Sequence, residues 1–183
     1  MTYSVWKGKI KMNIVLTGFM ASGKTEISKA IAALSKYKLA DTDDMIVQRE
    51  GKTINEIFAE VGEEGFRKIE HEAVLEAARL DDHVIATGGG VVLNRENISA
   101  LRENGIIVNL APDFELIKSR LQDAMSTRPL LRDGGIDSIH KRFCDRLPFY
   151  ADCDISVRII NGRTPRSYAL EILDLCERRT ASV

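Results

Sequence analysis

Gly18-Phe19-Met20-Ala21-Ser22-Gly23-Lys24-Thr25 reads G-x-x-x-x-G-K-[ST], the pattern of a phosphate-binding loop. Few short motifs constrain a fold so tightly. The loop works only where a strand leads into it and a helix leads out, since successive backbone N–H groups and the helix N-terminus must point at one anion. The flanks agree: Ile14-Val15-Leu16 reads as a buried strand, and Ile27, Ile31 and Leu34 recur at helical spacing. With Gly near 7% of residues in proteins at large, the pattern arises by chance in roughly one unrelated chain of this length in a hundred. The alternative is an ordinary glycine turn between a strand and a helix. As a phosphate loop, Ala21, Ser22, Gly23, Lys24, Thr25 and Glu26 surround a nucleotide's phosphates. Lys24 reaches the β- and γ-phosphates, and the Thr25 hydroxyl is a magnesium ligand.

The remaining elements alternate. Leu39-Ala40-Asp41 ends a second short strand, with Asp41-Thr42-Asp43-Asp44 beyond it and a helix from near Met45. In open parallel sheets ligands gather at the carboxyl ends of strands, where these carboxylates lie. They also suit a helix cap, and capping and catalysis are compatible. Thr53-Ile54-Asn55-Glu56 has capping-box spacing before the apolar series Ile54, Ile57, Phe58, Val61. Gly62 interrupts that helix, and Phe66, Ile69, Ala73 and Ala77 mark the next. On residue spacing alone, Arg67 and Glu70 read as a solvated ion pair and His71 as structural.

His83 to Thr87 is a third buried strand, followed by Gly88-Gly89-Gly90, either a plain turn or a close backbone approach to a ligand. A helix from about Asn94 to Asn104 stops at Gly105, and Ile106 to Leu110 is a fourth strand. Pro112 and Asp113 open a helix with Arg120 near its end. From Asp123 to Asp137 periodicity lapses while charge and glycine rise, which suits either a mobile surface loop or an arginine-bearing lid over a nucleotide. A helix over Ser138 to Leu147, a strand at Asp154 to Val157 and a last helix with Ala169, Ile172, Leu173 and Cys176 on one stripe complete the chain. About five strands alternating with helices predict an α/β fold in three layers, a parallel sheet with helices on both faces.

At 183 residues the length suits one core, taken here as 13–179 after a short extension, 1–12. The formal net charge of −1 offers no electrostatic footprint for nucleic acid. No run approaches the length of a membrane span. Cys144, Cys153 and Cys176 are odd in number and form no C-x-x-C pair, which fits reduced thiols in a cytoplasm.

Several motifs in order resemble shikimate kinase, a small family of the nucleoside-monophosphate-kinase-like P-loop fold. They are the phosphate loop, Asp41-Thr42-Asp43, Gly62-Glu63-Glu64-Gly65-Phe66-Arg67, Gly88-Gly89-Gly90, Arg128-Pro129-Leu130-Leu131 and Arg146-Leu147-Pro148-Phe149-Tyr150. The resemblance runs from about Asn13 to Leu175 and implies transfer of the ATP γ-phosphate to the 3-hydroxyl of shikimate, with Mg2+. It implies that Asp43 binds the ring hydroxyls and accepts the proton of the attacking one, and that Arg67 and Arg146 hold the substrate carboxylate. Gly88, Gly89 and Gly90 carry the substrate's backbone contacts. Asp41 orients magnesium through water beside Thr25, while Lys24 and Arg128 stabilise the moving phosphoryl group. Arg120 stacks on adenine, and Glu70 fixes Arg67.

The resemblance also implies a substrate segment at about 42–75, a lid at about 123–137 and a cytoplasmic monomer with no nucleic-acid or membrane partner. Two residues depart from the family pattern. Ala21 stands where glycine is usual, and Glu26 where a small hydroxyl residue commonly follows. A kinase for another small polyol acid, such as gluconate, shares the loop and fold. A regulatory module that binds ATP without turning it over is the alternative outside enzymes.

Overall fold

The sheet is built on the strand that feeds the phosphate loop. β1 (Asn13–Thr17) is buried at every residue, as a strand with neighbours on both edges and helices on both faces must be. In this computed structural model, which describes residues 12–125 and 135–181, β1 lies at the centre of a five-stranded parallel sheet. Its companions are β2 (Lys38–Asp41), β3 (His83–Ala86), β4 (Gly105–Pro112) and β5 (Ile155–Ile159), in the order β2-β3-β1-β4-β5. Ile14 pairs with Val84 on one side and Ile106 on the other. Asn13 pins the base of β1, its amide donating to Leu80 O at 2.5 Å and accepting from His83 N at 2.9 Å.

Helices cover both faces, which gives the expected three layers. On one side α1 (Lys24–Leu34) and α7 (Pro165–Ala181) bury Ile27, Ile31 and Leu34 against Tyr168, Ile172 and Leu173. Cys176 is fully buried there, a core residue as its stripe predicts. On the other side are α3 (Ile54–Ala78), α4 (Arg95–Glu103), α5 (Phe114–Met125) and α6 (Gly135–Tyr150). They contribute Val74, Ile98, Ile117 and Tyr150 to a second cluster. A third cluster, Ile46, Ile57, Phe66 and Ala73, joins α3 to α2 (Thr42–Glu50), with the rings of Phe58 and Phe66 stacked at 4.1 Å.

Local chemistry sets the boundaries. The Asp41 carboxylate accepts from Asp43 N at 3.0 Å, so α2 begins at Thr42, three residues before Met45. Thr53 and Glu56 close the capping box of α3 reciprocally. Gly62 (φ 69°, ψ −175°) lies outside the helical region, so α3 is two helices that meet at a sharp kink there, as the sequence predicts. Residues 123–125 continue α5 and 135–137 open α6; the rest of the expected lid, with Arg128, and 1–11 of the expected extension lie outside the described residues. No described helix is long and apolar enough to cross a membrane.

Candidate active site

The phosphate loop leaves β1 and turns into α1 through backbone conformations that side chains disfavour. Gly18 has φ 146° and runs so close to β4 that a Cβ on it would sit 2.7 Å from Leu110 O. Ala21 is left-handed at φ 58°, which costs a residue with a Cβ about 1 kcal/mol and explains why glycine suits this position. Lys24 folds back over the loop, its ammonium donating to Gly18 O at 2.7 Å and Phe19 O at 3.1 Å. Burial pulls its pKa down to about 8, against the opposing pull of Asp43 and Asp41. A cation is therefore held at the loop, in the field of two carboxylates from the end of β2.

Across the loop from α1 lies a cavity of about 430 Å³. Asp43 reaches it from the first turn of α2. Burial raises the Asp43 carboxyl to about 6, helped by Asp41 and Glu70 and opposed by Lys24. A carboxylate so placed is a base near neutral pH. Two of the glycines after β3 are tightly hemmed in: a Cβ on Gly88 would lie 2.7 Å from Asp43 Oδ1, and one on Gly90 would collide with the Arg67 guanidinium. Gly88 N donates to Thr42 Oγ1 at 3.0 Å, tying that turn to the start of α2.

Arginines share the cavity with these acids. Arg67 on α3 donates to Glu70 at 2.8 Å and to Glu63 at 3.1 Å. Glu70 is buried, not solvated, so this ion pair belongs to the cavity wall and departs from the surface pair that spacing alone suggests. Burial raises the Glu70 carboxyl above its usual range, although Arg67 opposes the shift. Arg146 donates to Gly89 O at 3.2 Å and packs 5.9 Å from the centre of the Phe19 ring. Tyr150, one turn on, donates to the same carbonyl at 2.7 Å, and burial lifts its phenol to about 12, so it remains a donor.

On the α1 side of the loop a second cavity, about 330 Å³, is walled by Ala21, Ser22, Gly23, Ile27, Ile159, Pro165 and Tyr168. Arg120 donates to Ala21 O at 2.8 Å from one edge of it. Arg163 lies at another, 4.4 Å over the Tyr168 ring and paired with Glu171 at 2.6 Å. Flat apolar walls flanked by guanidinium groups suit an aromatic base.

The structure thus brings together Asp43, Arg67, Gly88, Gly89, Gly90 and Arg146 in one cavity, and Ala21, Ser22, Gly23, Glu26 and Arg120 in the other. Lys24 lies between Asp43, Asp41 and the loop carbonyls. Arg142 and Tyr168 went unmarked in the sequence, Tyr150 stood in the motif of Arg146 without a role of its own, and Arg163 lay in a loop, Asn161 to Pro165, that matches the family's adenine loop only loosely. Arg142 and Tyr150 stand four residues either side of Arg146, so helical spacing carried a signal for both. No group of three His, Cys, Asp or Glu among the described residues could cage a metal.

A phosphate loop at the end of a central parallel strand, with a base-sized cavity on one side and a carboxylate-bearing anion pocket on the other, defines a P-loop small-molecule kinase. Comparison with known proteins narrows the class. The family model described as shikimate kinase matches residues 20–177. The shikimate kinase of Caldicellulosiruptor bescii is 47% identical over 164 residues, covering 89% of this chain and 94% of its own. Among solved structures, shikimate kinase from Acinetobacter baumannii in complex with shikimate superposes with TM-score 0.80 at 32% identity, covering 90% of this chain and 92% of that one. The Bacteroides thetaiotaomicron shikimate kinase gives TM-score 0.83 at 31% identity, over 92% and 99% of the two chains. The chain belongs to the shikimate kinase family, ATP-dependent kinases that phosphorylate shikimate in aromatic amino acid biosynthesis.

Proposed function

We propose that this chain transfers the γ-phosphoryl group of ATP to the 3-hydroxyl of shikimate, giving shikimate 3-phosphate and ADP, with each cavity taking one reactant. The observation that carries the reading is the position of Asp43. Its carboxyl titrates near 6 and shares an electrostatic field with Lys24, in a cavity that also holds Arg67 and Arg146.

Shikimate lies with its carboxylate toward Arg67 and Arg146, whose planar donor forks suit two oxygens. Glu70 holds Arg67 in place, and Tyr150 and Arg146 fix the Gly89 carbonyl, so the Gly88–Gly90 backbone meets the ring at a set distance. Asp43 accepts the proton of the attacking hydroxyl as the O–P bond forms. Lys24, with Arg128 from outside the described residues, stabilises charge on the transferring group, the main task when the transition state is loose. ATP lies with its phosphates over residues 21–26 and its base toward Arg120. Thr25, and Asp41 through water, would hold Mg2+, which supplies charge neutralisation at the β- and γ-oxygens.

The attack is in line and needs no thiol, so Cys144, Cys153 and Cys176 are dispensable to it. Three free cysteines accord with a cytoplasmic setting, and a net charge of −1 with the lack of a nucleic-acid partner. A coupled ADP-release assay with shikimate, quinate, gluconate and the nucleoside monophosphates tests the reading. Turnover on shikimate should far exceed the rest. ATP binding with no turnover on any of them overturns it and returns the fold to a regulatory role.

A further inference from the structure

The acceptor cavity has a third guanidinium. Arg142 lines it from α6, one turn before Arg146 and on the same face. It differs from its two companions in being exposed and unengaged. Arg67 is tied to Glu70 and Glu63, and Arg146 to Gly89 O and the Phe19 ring. Arg142 has no hydrogen-bond or ion-pair partner among the described residues. The acid one turn along, Asp145, is taken by Lys141 at 2.8 Å, so nothing on the helix neutralises it.

The charge balance of the cavity gives this group its meaning. Asp43, Glu63 and Glu70 put three carboxylates on the wall, against the guanidinium groups of Arg67, Arg146 and Arg142. Without Arg142 the wall is net negative with all three acids ionised, and an anionic acceptor meets repulsion at the mouth. With it these six groups balance, and Arg142 is the exposed one of the three guanidinium groups.

We propose that Arg142 is a specificity residue for the anionic acceptor: an exposed cation, unpaired among the described residues, that draws the carboxylate-bearing substrate into the cavity and offsets the acids on its wall. The inference rests on the reading of this cavity as the shikimate site and adds to it a residue whose role is charge, not fixed geometry. An exposed guanidinium with no partner holding it in one orientation offers no preset fork, so any cation at that position serves. The attraction fades as salt rises, because the group is in contact with water.

The experiment is steady-state kinetics on Arg142→Gln and Arg142→Lys, with shikimate and its uncharged methyl ester as acceptors, at low and high salt. Arg142→Gln should raise KM for shikimate about three- to tenfold at low ionic strength, a fold-change in the range of an exposed charge acting on an anion. It should leave kcat within about twofold and spare KM for the methyl ester and for ATP, since its charge acts on the carboxylate alone. Arg142→Lys should restore the wild-type KM, and the difference should shrink toward unity by about 0.5 M salt. An unchanged KM in Arg142→Gln, equal losses on acid and ester, or no rescue by lysine overturns the inference while the shikimate reading stands. Wild-type protein that does not turn over shikimate removes both. Equal thermal midpoints for the three proteins exclude misfolding as the source of a raised KM.

Discussion

The two cavities on either side of the phosphate loop are built on opposite terms. The acceptor cavity is a set of charged side chains from α2, α3 and α6, held to one another and to a glycine turn: Glu70 on Arg67, Tyr150 and Arg146 on Gly89 O. The nucleotide cavity relies on loop backbone and on the apolar faces of Ile27, Ile159, Pro165 and Tyr168. The first recognises its ligand by where charges stand, the second by shape and by N–H groups that any phosphate would satisfy. Substitutions should therefore act steeply in the first and gently in the second.

The sharpest break in that comparison is Asp43→Asn. It keeps the shape of the acceptor cavity and removes the base, so kcat should fall by about 10²- to 10⁴-fold with ATP affinity nearly intact. Calorimetric titration with ATP beside single-turnover kinetics checks both halves, and comparable turnover in the variant takes Asp43 out of the mechanism. Gly90→Ala comes next. Its methyl group collides with the Arg67 guanidinium, so KM for shikimate should rise at least about tenfold while KM for ATP is unmoved. Equal losses for both ligands would mean that the two cavities are not independent.

The pH dependence separates them by sign. Asp43 must be ionised to act as a base, so kcat/KM for shikimate should climb as pH rises through about 6 and level off above it. Lys24 must be charged to receive ATP, so kcat/KM for ATP should decline as pH rises through about 8. A profile flat from 5 to 7 would contradict the raised carboxyl. On the nucleotide side, Arg120→Ala should raise KM for ATP by a few-fold only, about 1 kcal/mol, and leave KM for shikimate alone. The smallest expected effect is Ala21→Gly. Relief of the left-handed alanine should raise stability by up to about 1 kcal/mol in denaturant unfolding, with kcat unchanged.

What the sequence carried and what it withheld follow from the range of the interactions. The phosphate loop, the alternation of strands and helices and the stripe ending in Cys176 are local patterns, and the structure holds all three. The break at Gly62 was legible as well; what was not is that Ile57 and Phe66, on either side of it, pack into one cluster with Ile46. Spacing alone made Arg67 and Glu70 a surface pair. Only the tertiary arrangement buries Glu70 and turns the pair into a wall of the cavity. Tyr168 stayed unmarked, and the loop of Arg163 only a loose match, because nothing near them in the chain says that they meet the phosphate loop, some 140 residues earlier.

The pairing of β1 has a consequence for how the protein comes into being. The phosphate loop is encoded near the start of the chain, yet the strand that presents it bonds only to later partners, Ile14 to Val84 and to Ile106. As the chain leaves the ribosome, β1 waits through the synthesis of α1, α2 and α3 for its first neighbour and through that of α4 for its second. Contacts of such long sequence separation close slowly, and an apolar strand without its neighbours is open to wrong partners meanwhile. The central position that fixes the loop in the finished enzyme thus also delays its support until β4 has been made.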